Sequence, residues 1–156
     1  MNTKGEQAQA LFEEGYNCAQ AVFLAFAEEQ GLDRPAAARL VSGMGGGMGR
    51  LRETCGAVSS MVLAAGMLLG YDDPHDPEAK AALYAQIQTL ANRFREKHGS
   101  LICRELLGPE LAGQGSVPDA RTPQYYQARP CGRLCASAAG ILEEFLKEQT
   151  DPREKR

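Results

Sequence analysis

Residues 54–71 read TCGAVSSMVLAAGMLLGY, and from Thr54 to Tyr71 the chain carries no charge over 18 residues. As a helix rising roughly 1.5 Å per residue, this stretch spans about 27 Å, slightly under a bilayer's hydrocarbon core. Gly56, Ser59, Ser60, Gly66 and Gly70 interrupt it, and Arg52, Glu53, Asp72 and Asp73 flank it. It therefore reads as a central buried helix, capped by Thr54, with the stripe Cys55, Val58, Val62, Ala65 and Leu69, and not as a membrane span. The composition supplies helices to bury it: 23 Ala and 17 Leu stand against 5 Val and 3 Ile, which favours helix over sheet. The expected fold is all-α, a compact single-domain helical bundle of about five to seven helices with a glycine-rich loop.

Working outward, capping residues mark the other elements. A first helix runs from about Glu6 to Glu14 and stops at Gly15. Asn17 caps a second from Cys18 to Gln30, ended by Gly31. Asp33 caps a third, with Pro35 in its first turn, ending by Gly43. Downstream, the longest helix runs from about Glu78 to Lys97 with Leu83, Ile87, Leu90 and Phe94 on one face. A short helix from Leu101 to Leu107 follows. Gly108 to Pro130 reads as a surface loop with four prolines. The last helix presents Cys131, Leu134, Cys135, Ala138, Ile141, Leu142 and Phe145 on one face.

At 156 residues the chain is long enough to bury a real core. The expected division is one helical domain over 1–150 and a frayed tail over 151–156. A net charge of -3 and a pI near 5.5 argue against a nucleic-acid partner, which demands a basic face. Met1 to Glu14 has no apolar signal-type segment, so the expected location is cytoplasmic. In a reducing compartment, five cysteines are not a disulfide framework, and the odd count agrees.

Four of those cysteines, Cys18, Cys55, Cys103 and Cys131, fall where helices begin, separated by gaps of 36, 47 and 27 residues. Neither a zinc knuckle nor a ferredoxin loop has such spacing, so only a folded core can gather them. A helix N-terminus carries partial positive charge and unpaired N–H groups, which favour thiolate. Several such ends meeting suit a metal centre or a reactive dithiol. Against this stands the ordinary role of cysteine as a small buried hydrophobe. Cys135 fits that role best, in mid-stripe, although it lies one turn from Cys131.

The run Gly43-Met44-Gly45-Gly46-Gly47-Met48-Gly49 holds five glycines in seven residues. It matches neither phosphate-binding glycine motif, and a helix precedes it. Its expected role is close backbone approach to the cysteines, with Gly45, Gly46, Gly47 and Gly56 against a cofactor and N–H groups turned toward sulfur. A plain hinge is the competing reading. Arg50 and Arg52 are expected at the rim, to offset cofactor charge or steer an anionic partner. Of two histidines, His75 lies in an acidic proline loop. His98 ends the long helix, where it suits a cationic C-terminal cap or a ligand or proton donor.

These residues resemble the C_GCAxxG_C_C family of redox-active proteins over roughly Phe12 to Leu146. Asn17-Cys18-Ala19-Gln20 is similar to the family's first cysteine segment. Gly43 through Glu53-Thr54-Cys55-Gly56-Ala57 is similar to the most specific portion. Ser100 to Gly108, around Cys103, and Cys131 before the last helix resemble the third and fourth segments. Where the pattern has a glycine five residues after the second cysteine, this chain has Ser60. The resemblance implies a helical redox domain. It extends to part of the split-Soret cytochromes, where such cysteines are associated with an iron–sulfur centre. The chain has no CxxCH, so covalent c-type haem is excluded.

The expected function is electron transfer by an iron–sulfur cluster, [2Fe–2S] in type, ligated by Cys18, Cys55, Cys103 and Cys131 and served by a redox partner protein. Zinc on the same four cysteines is the alternative cofactor and would make the site structural. A metal-free rival is thiol–disulfide chemistry with Cys55 as catalytic nucleophile and Cys18 or Cys103 resolving. A third reading is a helical interaction module with packed cysteines. A homodimer through the long helix, around Tyr84 and Phe94, is compatible with each.

Overall fold

Side-chain caps set five helix starts in the computed structural model, which describes residues 3–150. Thr3 accepts from the Glu6 amide and opens α1 (Lys4–Glu14), which ends at Gly15 with φ +118°. Asn17 and Gln20 form a reciprocal capping box that opens α2 (Cys18–Ala27). A 3₁₀ turn, Glu28–Gln30, completes the segment up to Gly31. Asp33 accepts from the Ala36 amide and, with Pro35, starts α3 (Arg34–Val41). The glycine run follows as a 3₁₀ turn, Ser42–Met44, and a short kinked element, α4 (Gly45–Met48).

Beyond it lie α5 (Gly56–Leu69), α6 (Pro77–His98, capped by Asp76) and α7 (Cys103–Leu107). The proline-rich segment is not a plain loop, for it folds into α8 (Pro109–Ala112) and α9 (Pro123–Ala128). Pro109 and Pro123 each sit at a helix start, where a missing N–H costs nothing. The chain ends in α10 (Cys131–Thr150). The fold is all-α: six described helices have eight residues or more, and the short ones raise the total above seven. Among the described residues the only extended pairing is one antiparallel bridge, Thr54 to Ile102. Residues 151–156, read from sequence as a tail, lie outside the described residues.

The helix at the centre is α2, not α5. Every α2 residue except Cys18 and Gln20 is buried, as expected of a helix apolar on all sides. Helices α1, α3, α5 and α10 pack around it. In α5 the buried positions are Gly56, Ala57, Val58, Ser60, Met61, Ala64 and Ala65. Val62 and Leu69 are only half buried, and Leu63 is exposed, so the buried stripe is rotated from the one read in the sequence. Helix α6 docks on α5 and α10 through the fully buried Leu90 and Phe94, each worth roughly 1.5–3 kcal/mol of burial. At the far end of α2, the buried Lys4 donates to Ala25 O at 2.7 Å and to Glu29 at 2.5 Å. A cation there complements the negative C-terminal end of the helix. No described helix is long and apolar enough to cross a membrane.

Candidate functional site

The N-terminal ends of α2, α5, α7 and α10 converge on one cavity of about 440 Å³, and Cys18, Cys55, Cys103 and Cys131 all line it. Each cysteine arrives by a local device. The Asn17 capping box fixes Cys18 as the first residue of α2. Cys55 is itself the N-cap residue of α5. Thr54 was expected there, but it pairs with Ile102. That bridge brings two distant segments together. Cys55 N–H donates to Leu101 O at 2.8 Å, and Cys103 N–H to Glu53 O at 2.6 Å. Cys131 follows Pro130, whose carbonyl accepts from Leu134 and starts α10. Cys135 points elsewhere: fully buried in the core, it donates its S–H to Cys18 O at 3.7 Å.

The glycine run is a hydrogen-bonded turn rather than an open hinge. Gly49 donates to Gly43 O at 2.8 Å, Arg52 to Gly46 O at 3.1 Å and Glu53 to Gly47 O at 2.9 Å. Gly45 and Gly46 line the cavity, and the Gly46 N–H points at the Cys18 sulfur. Gly47, at φ +69°, has no room for a side chain: a Cβ would stand 2.6 Å from Cys103 Cβ and 2.7 Å from Glu53 N. At Gly56 a Cβ would stand 2.6 Å from Cys18 Sγ and 2.8 Å from Met44 O. These two positions let main chain touch the cysteines directly.

At Cys18, Cys55 and Cys131 burial outweighs the helix ends. Desolvation pushes Cys18 and Cys55 up from the ordinary thiol value, although the Gly46 amide at Cys18 and the Val58 and Ala57 amides at Cys55 pull the other way. Cys131 is pushed up to about 11, again first by burial and then by the Cys18 thiol. Burial raises Cys135 well above the ordinary thiol value too, which works against its reactivity. All five cysteines are free. At Cys18, Cys55 and Cys131 the helix-start argument for a thiolate thus loses to desolvation.

Four arginines and one aspartate are the charged residues lining the cavity: Arg50, Arg52, Arg121, Arg129 and Asp119. They leave three net positive charges in a chain whose total is -3. Arg50 is half-buried, in keeping with a rim position, whereas Arg52 is buried in the wall. Arg50 donates to Gln114 O and Gly115 O, both at 2.8 Å, and pairs with Asp119 at 3.2 Å. Arg52 is 7% exposed; it donates to Ala112 O at 2.6 Å and to Cys103 Sγ at 3.6 Å. Arg129 also pairs with Asp119. Arg121 donates to Phe12 O and Tyr16 O, each at 3.0 Å, at the end of α1, and lies 4.2 Å over the Phe12 ring.

Sequence reading missed Arg121, Arg129 and Asp119 because it took 108–130 for surface loop. The available signal was two arginines flanking a tyrosine pair just before Cys131. The histidines lie apart from the cavity. His75 is exposed. His98 Nε2 bonds Ser137 Oγ at 2.7 Å and packs on Phe94. Burial, then Lys97 and Arg133, lowers its pKa, so it favours the neutral ring over the cationic cap.

Among the described residues no three His, Cys, Asp or Glu side chains are grouped so as to hold a metal ion. The arrangement is therefore a shared cavity wall of thiols, not a preformed single-ion cage. Neither the curated proteins nor the solved structures contain a match to the chain. The family model described as "Putative redox-active protein (C_GCAxxG_C_C)" matches residues 16–145, a span that contains all five cysteines and the glycine run, and the chain belongs to that family.

Proposed function

We propose that Cys18, Cys55, Cys103 and Cys131 hold an iron–sulfur cluster of the [2Fe–2S] type and that the protein carries single electrons between redox partner proteins. The observation that supports this is the pairing of four thiols with three net positive charges around one cavity. Four thiolates outweigh the charge of the metal core, so the loaded site is a dianion, and a trianion once reduced. Such charge is costly in a buried place unless cations accompany it, and the arginines are those cations. Soft sulfur donors suit iron–sulfur or zinc over magnesium or calcium.

Zinc is the poorer fit. A closed zinc site draws four sulfurs to about 2.3 Å from one ion, whereas no described trio of donors stands so close. A two-iron cluster would ask only two of the thiols of Cys18, Cys55, Cys103 and Cys131 to serve each iron. When bound, the cluster would supply a one-electron couple. The chain's part is to present four sulfurs, turn the Gly46 amide to Cys18 and the Ala57 and Val58 amides to Cys55, and surround the site with guanidiniums. Metal-free exchange led by Cys55 is disfavoured by burial, which works against its thiolate.

Anaerobic purification with iron, zinc and acid-labile sulfide analysis tests the reading. About two iron and two sulfide per chain are expected, with each of Cys18→Ser, Cys55→Ser, Cys103→Ser and Cys131→Ser reducing both. A colourless protein with one zinc, or a full iron load in all four variants, refutes it.

A further inference from the structure

Two features mark Arg52. Its backbone is left-handed, at φ +62°, and with Met48 and Arg50 it makes the complete set of described non-glycine residues at positive φ. Such backbone is strained for a residue with a side chain and persists where the surroundings hold it. Here the surroundings do: Arg52 N–H bonds Gly46 O, and its carbonyl accepts from the Arg104 amide at 3.2 Å and from Arg104 Nη1 at 3.1 Å. The second feature is charge. Arg52 is buried, yet among the described residues none of the ion pairs includes it. Asp119 feels its charge only from beyond ion-pair distance, and a buried cation with no anion in contact is costly.

What faces its guanidinium is sulfur. Arg52 Nη1 lies 3.6 Å from Cys103 Sγ, while Nε is anchored on Ala112 O. A neutral thiol is a weak acceptor and brings no charge; a thiolate supplies both. Among the described residues no side chain donates a hydrogen bond to the other cavity cysteines: Cys18 and Cys55 are served by backbone amides, and Cys131 feels Arg129 and Arg121 through charge alone. The bridge at Thr54–Ile102 holds Arg52 and Cys103 in register.

We infer that Arg52 is a positioning residue that acts on the cysteine site through Cys103, stabilising that sulfur as a thiolate ligand and thereby raising the reduction potential. This rests on the cluster reading above. Donors to ligating sulfur favour the more negative, reduced state. Arg52 contributes a full charge as well as a hydrogen bond, at one ligand of the four.

The test compares the anaerobically purified wild type with Arg52→Gln and Arg52→Lys, reading iron and sulfide content and the reduction midpoint by spectroscopic titration. Arg52→Gln is expected to be about tenfold harder to reduce, a midpoint lowered by about 59 mV for one electron. Arg52→Lys, which keeps charge but not the planar fork, is expected to recover part of that shift. Should Arg52→Gln fail to fold or load, Arg52→Lys decides, with a midpoint below wild type expected. Loaded variants at the wild-type midpoint overturn the inference and leave the cluster reading intact. A wild type free of iron and sulfide overturns both.

Discussion

Replacing Gly56 by alanine sets two rules against each other. Gly56 is the first residue of α5, and alanine is favoured over glycine within a helix by about 1 kcal/mol. Judged on propensity, Gly56→Ala stabilises. The tertiary contacts give the opposite sign. A Cβ at this position would stand 2.6 Å from Cys18 Sγ, 2.8 Å from Met44 O and 3.3 Å from Ala19 Cβ. One of these is backbone, held in the glycine run, so the neighbours cannot all yield. Overpacking of this kind costs about 1–3 kcal/mol. Because Gly56 heads the helix, the propensity gain is below its interior value, and the net effect is a loss of about 1–2 kcal/mol. At this chain length that corresponds to a fall in Tm of about 2–8 °C. The displaced group is a cavity cysteine, so cofactor loading should fall with stability. Thermal unfolding by circular dichroism, paired with iron analysis, measures both. A variant with unchanged or higher Tm and full wild-type metal content would refute the packing argument and leave glycine here without a reason.

Two further outcomes concern the bundle. Ser60 Oγ is fully buried without a hydrogen-bond partner among the described residues, so Ser60→Ala should raise stability by about 1–2 kcal/mol in urea unfolding; a loss of stability would mean the hydroxyl has a partner. His98 should titrate below its ordinary value, because burial and then Lys97 and Arg133 disfavour the charged ring. With a lowered native pKa, its contribution is fully present above about pH 6.5 and is lost as the pH falls through the native value. Proton NMR of the ring reads this directly, and a midpoint above the ordinary histidine value would restore the cationic-cap reading.

The sequence by itself determined the elements whose cause is local. Asn17, Asp33 and Gly15 stop or start helices through bonds to residues within about four positions, so a linear reading finds them. The all-helical composition and the placement of four cysteines at helix starts were legible for the same reason. Thr54 shows where that logic ends. It looks like a cap by its neighbours, but Ile102, far along the chain, takes it into a bridge and leaves Cys55 as the N-cap. The identity of the central helix was likewise a tertiary matter. α2 and α5 are both uncharged, and only the packing of α1, α3 and α10 around α2 encloses one and leaves Leu63 of the other exposed. By its sequence Arg52 reads as a cation at the rim of the cysteine site. Its burial against Cys103 depends on a left-handed backbone and on Ala112 from another segment. Local chemistry writes helix ends into the chain; which thiol meets which charge is fixed when segments tens of residues apart exclude water from the same cavity.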